Sequence, residues 1–514
     1  MYARTYSMAI NGLDAYTVTV EVNITKGLPA FEIVGLPTAA VREAKERVRA
    51  AITNAGFTFP MQRIVVNLAP ADIRKDGAGL DVAIAVGIIF ASAQGGRKLN
   101  KNKRQYISDH TVFIGEMALD GTIKSVRGML AIAIAADDEQ WELMVTGVDN
   151  GKEAKAAFAN RVMISSSLSE LMNMLCNDSE RIYATADDRS DTKESYTADF
   201  SDVKGQQAAK QALEIAAAGG HHVLLCGVPG AGKTMLARCM PSILPPLTET
   251  EQLTISRIYS IAGLLPSQQL MKERPFRSPH HTITMAGMVG GGAVPKPGEL
   301  TLSHGGVLFL DEAPEFKRPV LDVLRQPLED GVVTISRASG SYSYMCRFIL
   351  VMAMNPCPCG WYGHEDTMHH CICTTHQVEQ YQRTLSGPLR DRLDMYIPVD
   401  RPKLEELQDS GHSESSVAIR QRVMEARERQ QKRAAAYGIK EDTLNSRLSH
   451  HDLQQMLRCD SSAEQMMETA FTRLHISLRS YDKLLRVAQT VADLSGDDRI
   501  TGDHIATALA YRGR

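Results

Sequence analysis

The segment GVPGAGKT, residues 227–234, constrains the fold of this chain more than any other feature. Its spacing is that of a phosphate-binding loop, in which glycines let backbone N–H groups turn towards phosphates. The apolar run HVLLC precedes it and the run TMLARCM follows it, which is the strand–loop–helix order that such a loop needs. We therefore predict an ATP site in which Lys233 contacts the β- and γ-phosphates and Thr234 supplies a hydroxyl to Mg²⁺. The predicted nucleotide-binding residues are Gly227, Pro229, Gly230, Ala231, Gly232, Lys233 and Thr234.

Two carboxylates, Asp311 and Glu312, follow the apolar strand VLFL. Carboxylates in this place suit the binding of Mg²⁺ and the polarisation of a water molecule. We assign Asp311 to Mg²⁺, together with Thr234, and Glu312 to the catalytic base. Strand-like and helix-like runs alternate over residues 200–400, which predicts an α/β fold with a doubly wound parallel sheet.

The composition is that of a soluble globular protein, with 514 residues, 44% hydrophobic residues and a formal net charge of −3. Because the net charge is small and negative, any nucleic-acid surface must be local. No apolar run has transmembrane length, and the first residues lack a signal-peptide pattern. We expect a cytoplasmic protein with no membrane partner.

Changes of pattern divide the chain into four predicted regions. They are an α/β domain at 1–175, a polar and acid-rich linker at 176–199, the nucleotide-binding core at 200–400 and a helical domain at 401–514.

Periodicity predicts individual elements in the first region. Residues 16–25 and 63–70 have the pattern of strands, and residues 38–56 and 80–94 that of helices. Residues 111–123 are predicted to form a hairpin that turns at Asp120–Gly121.

Four of the nine cysteines lie close together, as Cys357, Cys359, Cys371 and Cys373. Two Cys-x-Cys pairs separated by a short loop can place four thiolates tetrahedrally around Zn²⁺. A histidine could replace one thiolate, and the candidates are His364, His369, His370 and His376. A redox switch is the alternative interpretation of the same cluster.

The order of these motifs resembles that of an AAA+ ATPase, because Asn355 follows a strand and the runs GPLRDRLD and SLRSYDKLL come later. The runs ITKGLPAFEIVGLP, RPFRSPHHT and AMNPCPCG narrow the resemblance to the ComM/YifB family of magnesium-chelatase-like proteins, over almost the whole chain. By this resemblance Asn355 orients the attacking water and Arg392 is an arginine finger for a neighbouring subunit, although Arg390 could take that role. The resemblance also implies that Arg479 lies on a helical lid over its own nucleotide. An arginine acting on a neighbour implies a ring, and relatives of this kind form homohexamers.

Two segments of the core look like insertions: residues 285–306 have the pattern of a mobile loop or a hairpin, and residues 329–350 that of a hairpin. The second resembles a hairpin that points into the pore of MCM helicases. The candidate DNA contacts are Lys296, Arg337, Tyr342 and Tyr344, since cations neutralise phosphates and aromatic rings stack on bases. The alternative for the tyrosines is packing against the sheet. A third basic segment, the helix-like run after residue 415, interleaves arginines with acids and is predicted to be a solvated, salt-bridged face.

The first 175 residues resemble the Lon protease-like fold. Gly79 stands in KDGAGLD where Lon carries its serine nucleophile, and Leu130 and Ile132 occupy the region of its lysine base. With neither group present, we expect no proteolysis.

The resemblance implies a hexameric ATP-driven DNA translocase or helicase. Such a protein would act on single-stranded and branched DNA and promote branch migration during homologous recombination in natural transformation. The alternative is a chelatase-type motor that remodels a protein partner.

Overall fold

The computed structural model of the chain describes residues 1–512, with gaps at 74, 76, 78, 95–98, 178–180, 185–195, 197, 267–268, 293–295, 338–339, 365–368, 402–413 and 441–442. Most of the predicted linker, residues 176–199, lies outside the described residues, as does the side chain of Arg337. None of the described helices is both long enough and apolar enough to cross a membrane.

The amino-terminal unit is built on a seven-stranded mixed sheet with strand order β3-β4-β2-β1-β5-β8-β9. Its strands are β1 (Tyr2–Asn11), β2 (Asp14–Thr25), β3 (Ala30–Val34), β4 (Arg63–Ala69), β5 (Thr111–Phe113), β8 (Leu143–Gly147) and β9 (Val162–Ser165). Two further strands, β6 (Glu116–Met117) and β7 (Ile123–Lys124), pair only with each other. The helices are α1 (Ala39–Asn54), α2 (Asp81–Ala91), α3 (Lys101–His110), α4 (Met129–Asp138), α5 (Gly151–Phe158) and α6 (Leu168–Cys176).

The predicted elements of this unit are present, with one difference. The predicted strands correspond to β2 and β4 and the predicted helices to α1 and α2. The hairpin around Asp120–Gly121 is confined to β6 and β7, whereas Thr111–Phe113 pairs in parallel with β1 and β8 in the main sheet. The prediction was wrong there because an apolar run looks the same in a hairpin and in a buried parallel strand.

Helix α2 is buried along its whole length, including the carboxylate of Asp81. Asp81 accepts hydrogen bonds from Arg47 Nε at 2.8 Å and Nη2 at 3.2 Å, and from the backbone N–H of Met117 at 3.2 Å. A buried carboxylate without such partners would be strongly unfavourable. The pair therefore joins α1, α2 and β6.

The core unit contains a five-stranded sheet, and every strand in it runs parallel to its neighbours in the order β11-β14-β17-β10-β18. Its strands are β10 (Val223–Gly227), β11 (Phe276–Arg277), β14 (Val307–Leu310), β17 (Ile349–Met354) and β18 (Met395–Val399). Two hairpins pair β12 (Gly290–Gly291) with β13 (Lys296–Pro297) and β15 (Val332–Arg337) with β16 (Gly340–Met345). Its helices are α7 (Gln207–Gly219), α8 (Lys233–Ile243), α9 (Glu249–Ala262), α10 (Met285–Val289), α11 (Glu299–Leu302), α12 (Arg318–Asp322), α13 (Arg325–Asp330), α14 (Thr375–Arg383) and α15 (Gly387–Arg390).

The carboxy-terminal region is helical where the structure describes it, with α-helices at Ser416–Ala436, His450–Met456, Ser461–Leu474, Leu478–Ser495 and Gly502–Ala510. The mixed α/β fold, the parallel sheet and the helical carboxy-terminal region are thus confirmed. The double winding of the core sheet and the lid role of the helices stay predictions.

The first of these helices, Ser416–Ala436, was predicted to present a salt-bridged basic face to solvent. The prediction that its arginines point into solvent is wrong. Arg427 donates to the carbonyl oxygen of Ala217 at 2.6 Å, Arg420 to that of Ser242 at 2.8 Å, and Arg433 pairs with the buried Asp493. The arginines therefore attach this helix to the core and to its neighbouring helix. The sequence pattern could not distinguish ion pairs in solvent from inward contacts with carbonyl groups.

The amino-terminal unit docks on the core through a buried carboxylate. Glu153 accepts a hydrogen bond from the backbone N–H of Leu130 at 3.0 Å and a short one from the Ser260 hydroxyl on α9. Leu130 is fully buried, and a Cβ built on Gly79 would lie 3.6 Å from Cγ1 of Val126 and, apart from its chain neighbours, within 4 Å of no other described residue. Gly79 and Leu130, which the resemblance to Lon places in the regions of its nucleophile and its base, therefore offer no ionisable group.

We predict that Arg47→Met destabilises the amino-terminal unit by about 3 kcal/mol, because the buried Asp81 loses its cation. Burial raises the pKa of Asp81 while Arg47 lowers it, so loss of Arg47 raises the pKa further. A carboxyl whose folded-state pKa is raised takes up a proton on folding, so the deficit should shrink as the pH falls from about 8 to about 5. Thermal unfolding at both pH values measures the effect.

Arg63→Met is the matched control, since Arg63 pairs with Glu32 at 3.4 Å and both side chains are about half exposed. It should cost less than about 1 kcal/mol. Equal losses in the two variants would contradict the role of the buried pair.

Candidate functional site

The predicted phosphate-binding loop connects the end of β10 to the start of α8. Gly230 and Gly232 have φ angles of +77° and +87°, a left-handed backbone that favours glycine. No described atom lies within 4 Å of a Cβ built on either residue, so this backbone borders open space. The space is a cavity of about 430 Å³ lined by Pro229, Gly230, Ala231, Gly232, Lys233, Thr234, Met235, Asp311, Glu312, Met354 and Asn355.

Lys233 and Asn355 meet at this cavity from different elements. Lys233 Nζ donates to Asn355 Oδ1 at 3.0 Å and to the carbonyl oxygens of Gly227 and Val228 at 2.6 and 3.0 Å. Burial lowers the pKa of Lys233. The ammonium group is thus held by three oxygen atoms at the mouth of a glycine loop, where a phosphate group can take their place.

Thr234 and Asp311 are also in direct contact, since Thr234 Oγ1 donates to Asp311 Oδ2 at 2.7 Å. A hydroxyl and a carboxylate at this separation are the oxygen donors that suit Mg²⁺ beside a nucleotide. The residues predicted to bind the metal therefore fit it. They would hold Mg²⁺ between them.

Glu312 lies at the end of β14 with a φ angle of +48°, which is uncommon for a residue other than glycine. Its side chain is mostly exposed, and Oε2 is 4.0 Å from Nδ1 of His281. The carboxylate borders the cavity and can reach a water molecule there. His281 received no role from its sequence, although it stands in SPHHT just after β11, beside the strand that carries Glu312.

The two predicted arginines are brought together on one carboxylate, that of Glu329 at the end of α13. Arg392 Nη2 lies 2.8 Å from Glu329 Oε2, and Arg479 Nη2 donates to Oε1 at 2.5 Å. Partial burial raises the pKa of Glu329, but the two guanidinium groups lower it by more. Glu329 was missed because its sequence neighbours show no motif.

The two arginines lie at a different cavity from the phosphate-binding loop. Neither Arg479 nor Arg392 lines the cavity at the phosphate-binding loop; both line a second cavity of about 510 Å³. This cavity also contains the basic residues Arg347, Lys440, Arg447, Lys483 and Arg486. The helix that carries Arg479 packs beside Arg392, and the expected place of Arg479 over the nucleotide of its own chain stays a prediction. Arg390, the alternative finger, donates a short hydrogen bond to the carbonyl oxygen of Gln382.

The four cysteines after Asn355 form one cluster. All their sulfur atoms lie within 4.8 Å of one another, and Cys357 Sγ is 3.3 Å from Cys359 and 3.8 Å from Cys371. Tetrahedral ligands at about 2.3 Å from Zn²⁺ are about 3.8 Å apart, so the cluster fits this ion. His364 instead approaches Asp400 and His369 stacks on Trp361, so neither belongs to the cluster.

The hairpin residues predicted to contact DNA have different surroundings. Lys296 is exposed on β13, whereas the Arg337 side chain lies outside the described residues. Tyr344 is fully buried and Tyr342 is half-buried, with its ring 3.5 Å from the place of a Cβ on Gly12. The packing alternative is therefore correct for Tyr344, and the position of Tyr342 against the amino-terminal unit favours packing as well.

Three family models match the chain. "Magnesium chelatase, subunit ChlI" matches residues 199–407, "Subunit ChlI of Mg-chelatase" matches residues 20–150, and "Magnesium chelatase, subunit ChlI C-terminal" matches residues 413–512.

Curated relatives match over the full length. The competence protein ComM of Haemophilus influenzae is 39% identical over 512 residues, covering 99% of this chain and 96% of that protein. The uncharacterized protein YifB of Escherichia coli is 39% identical over 508 residues, with the same two coverages. Lon protease 2 of Bacillus subtilis is 32% identical over an alignment of 149 residues that covers 27% of this chain and 26% of that protease.

The nucleotide cavity has the residues of an AAA+ ATPase site, and the similarity to the relatives extends over nearly the whole chain. The chain therefore belongs to the ComM/YifB family of magnesium-chelatase-like AAA+ ATPases.

Proposed function

We propose that this protein is an ATP-driven DNA translocase that works as a homohexameric ring and promotes branch migration in recombination. One observation supports the proposed ring assembly. Arg392 and Arg479 are paired on Glu329 at a cavity separate from the phosphate-binding loop. One chain thus has two cationic groups suited to a transferring phosphate at a cavity other than that of its own phosphate-binding loop. A neighbouring subunit placed against this cavity supplies the nucleotide.

The proposed chemistry at each site uses residues of two subunits. Lys233 and the loop backbone bind the phosphates, Thr234 and Asp311 hold Mg²⁺, and Glu312 polarises the attacking water. Asn355 orients that water from the neighbouring strand end. The arginines of the adjacent subunit stabilise the charge that develops on the transferred phosphoryl group.

Two observations support DNA as the polymer along which the protein moves. Exposed Lys296 lies on the β12–β13 hairpin, next to the β15–β16 hairpin that carries Arg337; Ile335 of the second hairpin approaches Gly290 of the first. A pair of packed hairpins with two cations suits a phosphate backbone in the pore of a ring. In addition, a relative that is 39% identical is named a competence protein, and competence concerns the uptake of DNA.

A chelatase-type motor that remodels a protein partner is the second candidate, favoured by the descriptions of all three matching family models. The two candidates share the nucleotide site and differ in what the hairpins contact. Stimulation of ATP hydrolysis by DNA therefore distinguishes them.

We predict that Lys233→Ala weakens ATP binding, because the phosphates lose their ammonium partner. By contrast, Glu312→Gln should keep ATP binding and lower turnover by a factor on the order of 10² or more, since it removes the group that activates water. Equilibrium binding of a fluorescent ATP analogue and steady-state phosphate release separate the two effects. Normal turnover in the Glu312→Gln protein would show that the base is another residue.

We predict that Arg392→Ala lowers turnover by about 10³-fold, as expected for an arginine finger. Mixing it with the Lys233→Ala protein should restore part of the activity, because some interfaces then combine an intact phosphate-binding loop with an intact Arg392. Failure of this mixture to recover activity, in rings that contain both variants, would contradict the shared site.

A second mixture tests whether Arg479 acts on the neighbouring nucleotide together with Arg392. If it does, Arg392→Ala mixed with Arg479→Ala stays inactive, because no interface then receives both arginines. Recovery in this mixture would show that Arg479 serves the nucleotide of its own chain.

We predict that single-stranded and branched DNA stimulate ATP hydrolysis and that the double variant Lys296→Ala/Arg337→Ala loses this stimulation while its basal rate persists. Lys317→Ala is the matched control, since Lys317 is an exposed lysine of the same unit outside both hairpins. Hydrolysis rates are measured with each DNA, and ring formation is checked in the same samples. Equal stimulation of the wild-type protein and the double variant would exclude the hairpins as DNA contacts, and a wild-type rate that no DNA alters would favour the protein-remodelling motor.

A further inference from the structure

The cysteine cluster lies against the nucleotide site and not on a distant surface. Cys357 is buried and stands two residues after Asn355, directly beyond the end of β17. The backbone N–H of Gly360 donates to the carbonyl oxygen of Cys357 at 3.0 Å, and that of Tyr362 donates to Cys357 Sγ at 3.3 Å. The chain thus makes a tight turn around the first ligand of the cluster.

The turn packs against the phosphate-binding loop at Gly360. A Cβ built on Gly360 would lie 2.7 Å from both Cδ and Cγ of Pro229, and 4.0 Å from Cγ of Asn355. Gly360 has a φ angle of +88°, and a side chain at this position would overlap the Pro229 ring. Pro229 and Asn355 both line the nucleotide cavity, so the turn supports that cavity from behind.

Contacts on the far side hold the same turn in place. The Trp361 ring packs against the hydrophobic core of the ATPase unit and stacks on His369, with ring centres 4.0 Å apart. The guanidinium of Arg401 lies 4.6 Å from the centre of the Trp361 ring, and His364 is 3.3 Å from Asp400. Arg401 and Asp400 follow β18, the strand that pairs with β10. The turn that follows β17 is therefore also in contact with the residues that follow β18.

We infer that the metal held by the four cysteines positions Pro229 and Asn355 through Gly360, so that nucleotide affinity depends on metal occupancy. This inference rests on the proposed Zn²⁺ site. In this inference the cluster acts through the packing of Gly360 on Pro229. The ion would fix four points of a short chain segment, and that segment packs against the phosphate-binding loop at Gly360.

Reciprocity gives a test on the unmodified protein. If Zn²⁺ strengthens nucleotide binding, the nucleotide must strengthen Zn²⁺ binding by the same factor. We expect about tenfold, which corresponds to ~1.4 kcal/mol of coupling. The affinity for a fluorescent ADP analogue is measured in zinc-loaded and in chelator-treated protein, and the zinc affinity is measured by competition with a chromophoric chelator with and without saturating ADP. Equal affinities in both comparisons would overturn the inference.

A matched pair of variants tests the point of contact. Gly360→Ala places a methyl group against Pro229, whereas Gly363→Ala, at a similar φ of +77°, meets no described atom within 4 Å. Both introduce comparable backbone strain. We expect both proteins to retain about one Zn²⁺ per chain and only Gly360→Ala to lose nucleotide affinity, again by about tenfold. Unchanged affinity in a zinc-loaded Gly360→Ala protein would overturn the inference.

Absence of a zinc site and absence of coupling between zinc and nucleotide give different experimental results. If the purified wild-type protein contains no zinc, and added Co²⁺ gives no thiolate absorption band, the cluster does not bind metal and the premise falls. If metal is bound and both affinity comparisons give equal values, the zinc site stands and only its coupling to the nucleotide site is wrong.

Discussion

The nucleotide site depends on the parallel alignment of three adjacent strands, β14, β17 and β10. Parallel strands end at the same edge of a sheet, so the chain segments that follow them are neighbours there. Asp311, Asn355 and the phosphate-binding loop each follow one of these strands. The contacts Lys233–Asn355 at 3.0 Å and Thr234–Asp311 at 2.7 Å are the direct result. Side chains from three distant parts of the chain therefore meet without any long loop having to close over them.

The arginine pair has a different position, because Arg392 and Arg479 line a cavity other than that of the phosphate-binding loop. Arg392 follows α15 in the core and Arg479 lies in the first turn of a carboxy-terminal helix, and Glu329 pairs with both. Two guanidinium groups so close together would repel each other without the carboxylate between them. Glu329 thus explains how the cations can share one cavity before a phosphate is present. This arrangement links the helical region to the core at the place where we propose that a neighbouring subunit binds.

The amino-terminal unit lacks the catalytic groups of a Lon protease and contacts the ATPase unit instead. Part of it is similar to a Lon protease, and by that resemblance Gly79 stands where the nucleophile is expected and Leu130 and Ile132 lie in the region of the base. The backbone N–H of Leu130 instead binds Glu153, which also binds Ser260 of the ATPase unit. The region that would carry the base is therefore part of the contact between the two units, which suits a rigid support for the ATPase unit.

The sequence by itself determined the features that depend on local order. The phosphate-binding loop, the carboxylates at a strand end, the cysteine spacing and the strand and helix periods are all carried by neighbouring residues, whose chemistry is fixed before the chain folds. Sequence also predicted the α/β core and the helical carboxy-terminal region. Only the tertiary structure decided which distant side chains meet: that Arg479 joins Arg392 on Glu329, that Tyr344 is buried, that the arginines of the helix Ser416–Ala436 face inwards, and that the cysteine turn packs on Pro229. The physical reason is that such contacts arise from the packing of elements far apart in sequence, and no local pattern encodes the direction in which a side chain points after packing.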